Sequence, residues 1–137
     1  FVDHVGHEIL PAYTGLVAVN HPGFAKTGGW GSPNTFKESR AYVAPENRGI
    51  YCAGGFQGGH TFSYLTACAV LDLNIDADES NGILAEWHDE SHFNKLLSDK
   101  GYQDVKILSH EYCMSDADIS GSPKLLALTK DHAALRS

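Results

Sequence analysis

The stretch Trp87-His88-Asp89-Glu90-Ser91-His92-Phe93-Asn94-Lys95 is the densest run of ionisable and polar groups in the chain. It falls where an extended segment gives way to a helical pattern, so Glu90 belongs to the first helical turn. A helix N-terminus carries partial positive charge and holds a carboxylate ionised. A fixed, ionised carboxylate suits a nucleophile or a group that stabilises developing positive charge. Trp87 beside it offers a flat apolar face of the kind on which sugar rings stack. The bland alternative is a solvated helix start capped by Asp89. A metal reading competes with both. His88 and His92 stand at i and i+4, and on one helix face they would suit a zinc hydrolase of the HExxH type. Here Asp89 replaces the glutamate that acts as base in that pattern, and a helix that begins at Asp89 leaves His88 outside it.

Three other segments carry candidate chemistry. Tyr51 to His60 (YCAGGFQGGH) exposes backbone at its four glycines and permits close approach of a ligand. It matches neither the GxGxxG dinucleotide fingerprint nor a GKS/T phosphate loop, and a sharp strand-to-helix turn explains it equally well. In Asn20-His21-Pro22-Gly23-Phe24, the Pro-Gly turn would hold His21 at a strand end. A structural histidine is the plainer reading. Near the C-terminus, Lys130 and Arg136 in KDHAALR are spaced to close on a phosphate, with Arg supplying a bidentate fork. The alternative there is a solvated tail.

The elements that must position these groups follow from pattern. Gly15 to Val19 reads as a short buried strand ending at Asn20, and Ala25 to Lys37 as loop by its Gly and Pro content. Arg40 to Ala44 and Ile50 to Ala53 read as strands. A helix is expected over Thr61 to Leu73, where Phe62, Leu65, Ala69 and Leu73 recur at helical spacing, with Asn81 and Gly82 as the break. Ile83 to Trp87 reads as extended. Asp89 is the expected N-cap of a helix running to Asp99 that buries Phe93, Leu96 and Leu97. Lys106 to Leu108 and Leu125 to Leu128 complete the strands. The tally is α/β, with any site in loops at strand ends.

Composition narrows the partners. The 137 residues carry 42% hydrophobic and 20% charged side chains, as a single globular domain does. A net charge of −7 disfavours nucleic acid and anionic membranes, while a few placed cations still suffice for a small anion. No apolar run is long enough to span a bilayer. The three cysteines form no CxxC pair or disulfide framework.

Taken together, the segments resemble one family. WHDESHFNK is similar to the WHDESHLNK of the ABO histo-blood-group transferases and α-1,3-galactosyltransferases. In the same order, FVDHVGHEIL resembles FRDHVGVEIL, NHPGF resembles LHPGF, SRAYV resembles SQAYI, YCAGGFQGG resembles YYLGGFFGG, KILSHEYC resembles KVLSPEYL, and KDHAALR resembles KNHQAVR. The resemblance runs from Phe1 to Arg136. It implies the C-terminal half of a GT-A-type fold, a mixed sheet flanked by helices. It also implies a retaining enzyme that moves N-acetylgalactosamine or galactose from UDP to the 3-hydroxyl of a β-galactoside. By the same resemblance, Glu90 is the nucleophile or transition-state stabiliser, with the logic of retaining glycosidases. Asp89 binds donor-sugar hydroxyls, and His21, Trp87 and Glu90 meet the acceptor. Ala53, Gly54 and Gly55 set donor choice, Gly55 favouring N-acetylgalactosamine. Lys130 and Arg136 close over the pyrophosphate.

The sequence departs from the family pattern in two places. Ser115, with Asp116 beside it, stands where the family has an acceptor-binding aspartate, and the loop Ala25 to Glu38 differs and is shorter. The resemblance places the nucleotide-binding N-terminal half before Phe1, outside this chain. A cofactor expectation follows: Mn²⁺ if the upstream motif is Asp-x-Asp, none if it is Asn-x-Asn. A non-catalytic carbohydrate-binding module or inactive fragment is the rival function, and the His88/His92 zinc hydrolase a remote one. The unpaired cysteines and the lack of an N-x-S/T site point to a bacterial or viral cytoplasmic protein; an anchored animal homologue would lie in the Golgi lumen.

Overall fold

The computed structural model describes residues 3–11, 13–31, 34–119 and 121–129. Its centre is a three-stranded mixed sheet in the order β2-β1-β3. Strand β1 (Leu16–Asn20) pairs antiparallel with β2 (Cys52–Gly59) and parallel with β3 (Val105–Leu108). The run Leu16 to Val19 is buried on both faces, which is why it reads as continuously apolar. Alternation sends Leu16 and Ala18 to one face, packed with Cys52, Ala67, Leu71, Phe93 and Leu97. Val17 and Val19 point the other way, against Leu108 and Tyr112. A short parallel ladder joins β4 (Met114–Ser115) to β5 (Leu126–Ala127).

Helices cover the first face. Helix α2 runs over Thr61–Ser80 and α3 over His88–Asp99, and they pack on each other and on β2. Helix α2 continues past the expected end at Leu73, because residues 74–80 hold no Gly or Pro and the buried Asp78 anchors its last turn. Asn81 caps it and Gly82 takes φ +68°, as a helix stop requires. The buried side of α2 is Ala67, Leu71 and Asp78. The stripe picked out by spacing faces outward instead, Phe62 being 77%, Leu65 62% and Leu73 69% exposed.

Other expectations change as well. The glycines of the YCAGGFQGGH segment lie inside β2, not in a turn after it. Gly59 ends that strand against β1, where a Cβ would run into the Gly15 carbonyl. Residues 40–44 form no strand: Ser39 Oγ and the Arg40 N–H donate to Asp78, at 2.6 and 2.8 Å, and replace a ladder. Residues 83–85 pair with no strand, the Ile83 N–H donating to the Asp78 carbonyl, and residues 86–87 turn into α3. Helix α3 starts at His88 with Trp87 as its cap, two residues before the expected cap at Asp89. After β1, a single helical turn α1 (Pro22–Ala25) replaces the plain turn. No helix among the described residues is long and apolar enough to cross a membrane.

Candidate active site

The half-buried Glu90 side chain sits in the first turn of α3 and meets the start of β2. The Tyr51 hydroxyl donates to Oε1 at 2.7 Å, and the Gly54 N–H donates to Oε2, also at 2.7 Å. Both carboxylate oxygens are thereby fixed by neutral donors, which hold the group in one orientation. The close approach needs Gly54, because a Cβ there would lie 3.0 Å from Glu90 Cβ.

Asn94, one turn further along α3, ties the two elements together. Its Oδ1 accepts from the Cys52 N–H at 2.8 Å, and its Nδ2 donates to the Cys52 carbonyl at 2.8 Å and to the Glu90 carbonyl at 2.9 Å. This buried amide satisfies Cys52 on the outer edge of β2, the side away from β1. Asn94 and Tyr51 are the site residues that pattern reading passes over. The signal for Asn94 is a short polar side chain inside a helix whose neighbours are buried. Tyr51 carries no local signal, since its role depends on a partner 39 residues away.

Four rings close one side. Tyr51 lies edge-on to Phe24 and Trp30, at 5.5 and 5.4 Å between centroids, and His21 packs on Phe24 and Tyr51 at 4.8 and 5.7 Å. His21 also caps α1, its Nδ1 accepting from the Gly23 N–H at 3.1 Å. Burial pulls the His21 proton affinity below the ordinary imidazole value, against the opposing pull of the Glu90 charge. On the other side, burial and then Glu90 push the Cys52 thiol up to about 12. Burial followed by Glu90 also raises the Cys113 thiol. A Cβ on Gly55 would lie 3.2 Å from Cys113 Sγ.

The sequence-predicted residues are thus partly assembled. His21, Gly54 and Glu90 gather around Tyr51, while Ala53 is buried beside them and Gly55 reaches out towards Cys113. Trp87 stays 49% exposed next to Glu90, and Asp89 is exposed on the same turn. His88 takes φ +47°, an uncommon conformation for a non-glycine residue that marks the junction. Lys130 and Arg136 lie outside the described residues. His88 and His92 lie in different surroundings: His92 is buried with Nε2 3.6 Å from Asp78 Oδ2, whereas His88 is exposed. Among the described residues no three His, Cys, Asp or Glu side chains gather to hold a metal ion.

The sequence model for glycosyltransferase family 6 matches residues 1–137, the whole chain. The chain belongs to glycosyltransferase family 6. Rat histo-blood group ABO system transferase 1 is 36% identical over 146 aligned positions, covering 100% of this chain and 40% of the rat protein. Human globoside alpha-1,3-N-acetylgalactosaminyltransferase 1 is 34% identical over 128 positions, 89% of this chain and 36% of the human protein. The Escherichia coli O-antigen biosynthesis glycosyltransferase WbnI is 31% identical over 80 positions, 58% of this chain and 34% of that protein. This family 6 chain therefore spans about two fifths of the length of the rat relatives it matches. Its mixed sheet flanked by helices is compatible with part of a GT-A-type domain.

Proposed function

We propose that this chain is the acceptor-binding and catalytic part of a retaining α-1,3-glycosyltransferase. In this proposal the enzyme moves N-acetylgalactosamine or galactose from a UDP-sugar to a β-galactoside. The observation that supports it most is the Glu90 carboxylate, held on both oxygens by Tyr51 and Gly54 at the mouth of the β2–α3 junction. As the bond from the sugar C1 to the UDP phosphate breaks, the electron pair leaves with UDP and C1 becomes positive. Glu90 stabilises that charge, or bonds to C1 transiently, on the face opposite the leaving group. The acceptor 3-hydroxyl then bonds to C1 on the face UDP left, any Glu90–C1 bond breaking to return the carboxylate, and the hydroxyl proton passes to the phosphate or solvent. Asp89 holds the donor hydroxyls. Trp87 and His21 meet the acceptor ring, and Ala53, Gly54 and Gly55 line the donor side. Lys130 and Arg136 neutralise the departing pyrophosphate.

A methyl on Gly55 would meet Cys113 Sγ at 3.2 Å. N-acetylgalactosamine as donor is supported by the family resemblance at Gly55, not by this contact. The test is transfer by the full-length protein, with UDP-N-acetylgalactosamine, UDP-galactose and a β-galactoside acceptor. Product with retained configuration is expected, and Glu90→Gln should lower its formation about a hundred- to a thousandfold. Binding of acceptor without any turnover would instead favour a carbohydrate-binding module.

A further inference from the structure

We propose that Tyr51 is the positioning residue for Glu90, and that the rings of His21, Phe24 and Trp30 with the backbone of Gly31 fix its hydroxyl on Oε1. The proposal rests on the role of Glu90 given above and deepens it.

Tyr51 is only 4% exposed. A buried phenol needs a partner, and here that partner is the one carboxylate proposed to act at the reacting carbon. Burial foremost, then Glu90, pushes the Tyr51 hydroxyl far above the usual phenol value, so it remains a protonated donor. The thiols of Cys52 and Cys113 also feel the Glu90 charge and are likewise held protonated. His21 is drawn towards its neutral form. Of these groups, Tyr51 hydrogen-bonds the carboxylate. The ring has little freedom. Phe24 and Trp30 stand edge-on to it, and a Cβ on Gly31 would come within 2.8 Å of its Cε1 and Cζ atoms. Gly31 is thus a glycine because its backbone lies against the Tyr51 ring. His21 and Phe24 lie in the segment that resembles the family, whereas Trp30 and Gly31 belong to the divergent loop Ala25 to Glu38.

The hydrogen bond fixes one oxygen of Glu90 while Gly54 fixes the other. Loss of the phenol hydroxyl frees the carboxylate to rotate about the Gly54 contact. A misplaced stabilising charge reduces the rate of the chemical step more than ground-state binding.

The experiment uses the full-length protein and a double-mutant cycle of Tyr51→Phe with Glu90→Gln. Tyr51→Phe keeps the ring and its packing. It should lower kcat by about ten- to a hundredfold, with the KM values for donor and acceptor changed less than about threefold. In the Glu90→Gln background the same substitution should change kcat by less than about twofold, since the group it positions is gone. Gly31→Ala provides a second variant that keeps the hydroxyl but displaces the ring, and kcat should fall again. Full turnover in Tyr51→Phe, with turnover lost in Glu90→Gln, overturns this proposal alone. So do effects that simply multiply in the double mutant. Full turnover in Glu90→Gln overturns the role of Glu90 and this proposal with it.

Discussion

Glu90 and His92 stand two residues apart in α3, yet they serve different centres. Glu90 opens towards the β2 edge, half-buried, with donors from Tyr51 and Gly54. His92 turns inward, 3% exposed, to Asp78 on α2. Asp78 in turn accepts from Ser39 Oγ and the Arg40 N–H. Both centres place a carboxylate among fixed donors. The first leaves its carboxylate within reach of a ligand, while the second is used up in joining α2, α3 and the segment before residue 42. Two residues along a helix turn a side chain by roughly 200°, so one short motif feeds a chemical site on one side and a structural clamp on the other.

The sharpest way to separate the centres is to remove each carboxylate in the full-length protein. Glu90→Gln should lower transfer about a hundred- to a thousandfold and leave the unfolding midpoint almost unchanged. A large stability loss in that variant would erase the contrast. Asp78→Ala should behave the opposite way. It leaves the buried Ser39 hydroxyl and the Arg40 N–H without their acceptor and takes the carboxylate away from the buried His92, at a cost of about 3 kcal/mol, readable by urea unfolding. Unchanged urea stability would show that Asp78 is no clamp.

Gly54→Ala tests the closeness of the chemical centre. The added Cβ meets the Glu90 side chain at 3.0 Å and should reduce kcat by about tenfold through misplacement. Native kcat in this variant would mean that Glu90 has room to move.

Acid should loosen the clamp more gently. Burial, its largest cause, lowers the His92 proton affinity despite the charges of Asp78 and Asp89. Between its folded value and about 6.5, the unfolded chain binds more protons, so stability rises with pH across that window. Acidification from pH 7.5 to 5.5 should lower the thermal midpoint by about 4 °C or less, and His92→Gln should flatten that slope. An equal slope in the variant would remove His92 from the account.

Smallest is Gly55→Ala, whose new methyl would sit 3.2 Å from Cys113 Sγ. The thiol can give way, so stability should change by less than about 1 kcal/mol. The ratio of kcat/KM values should shift towards UDP-galactose, and Cys113→Ala should relieve part of the shift. A ratio that stays constant would detach Gly55 from donor choice.

Much of the fold is legible in the residues themselves. Leu16–Val19, Asn81-Gly82 and the start of α3 carry their signals locally, as apolar run, helix stop and first-turn acids. The site was legible as a motif, because Trp87 to Lys95 is contiguous. Residues 40–44 misled because their hydrogen bonds go to a side chain far along the chain, not to a strand. The α2 stripe misled because helical spacing shows that a face exists, not which of two apolar faces meets the sheet.

Sequence alone determined the family and the presence of Glu90 in a first helical turn, since each depends on contiguous residues. Only the tertiary structure decided that Tyr51 and Gly54 hold Glu90, that Asn94 fastens β2 to α3, and that His92 lies against Asp78. Those contacts join residues about 14 to 42 positions apart. The geometry of a packed core brings such residues together, and no local propensity encodes that meeting.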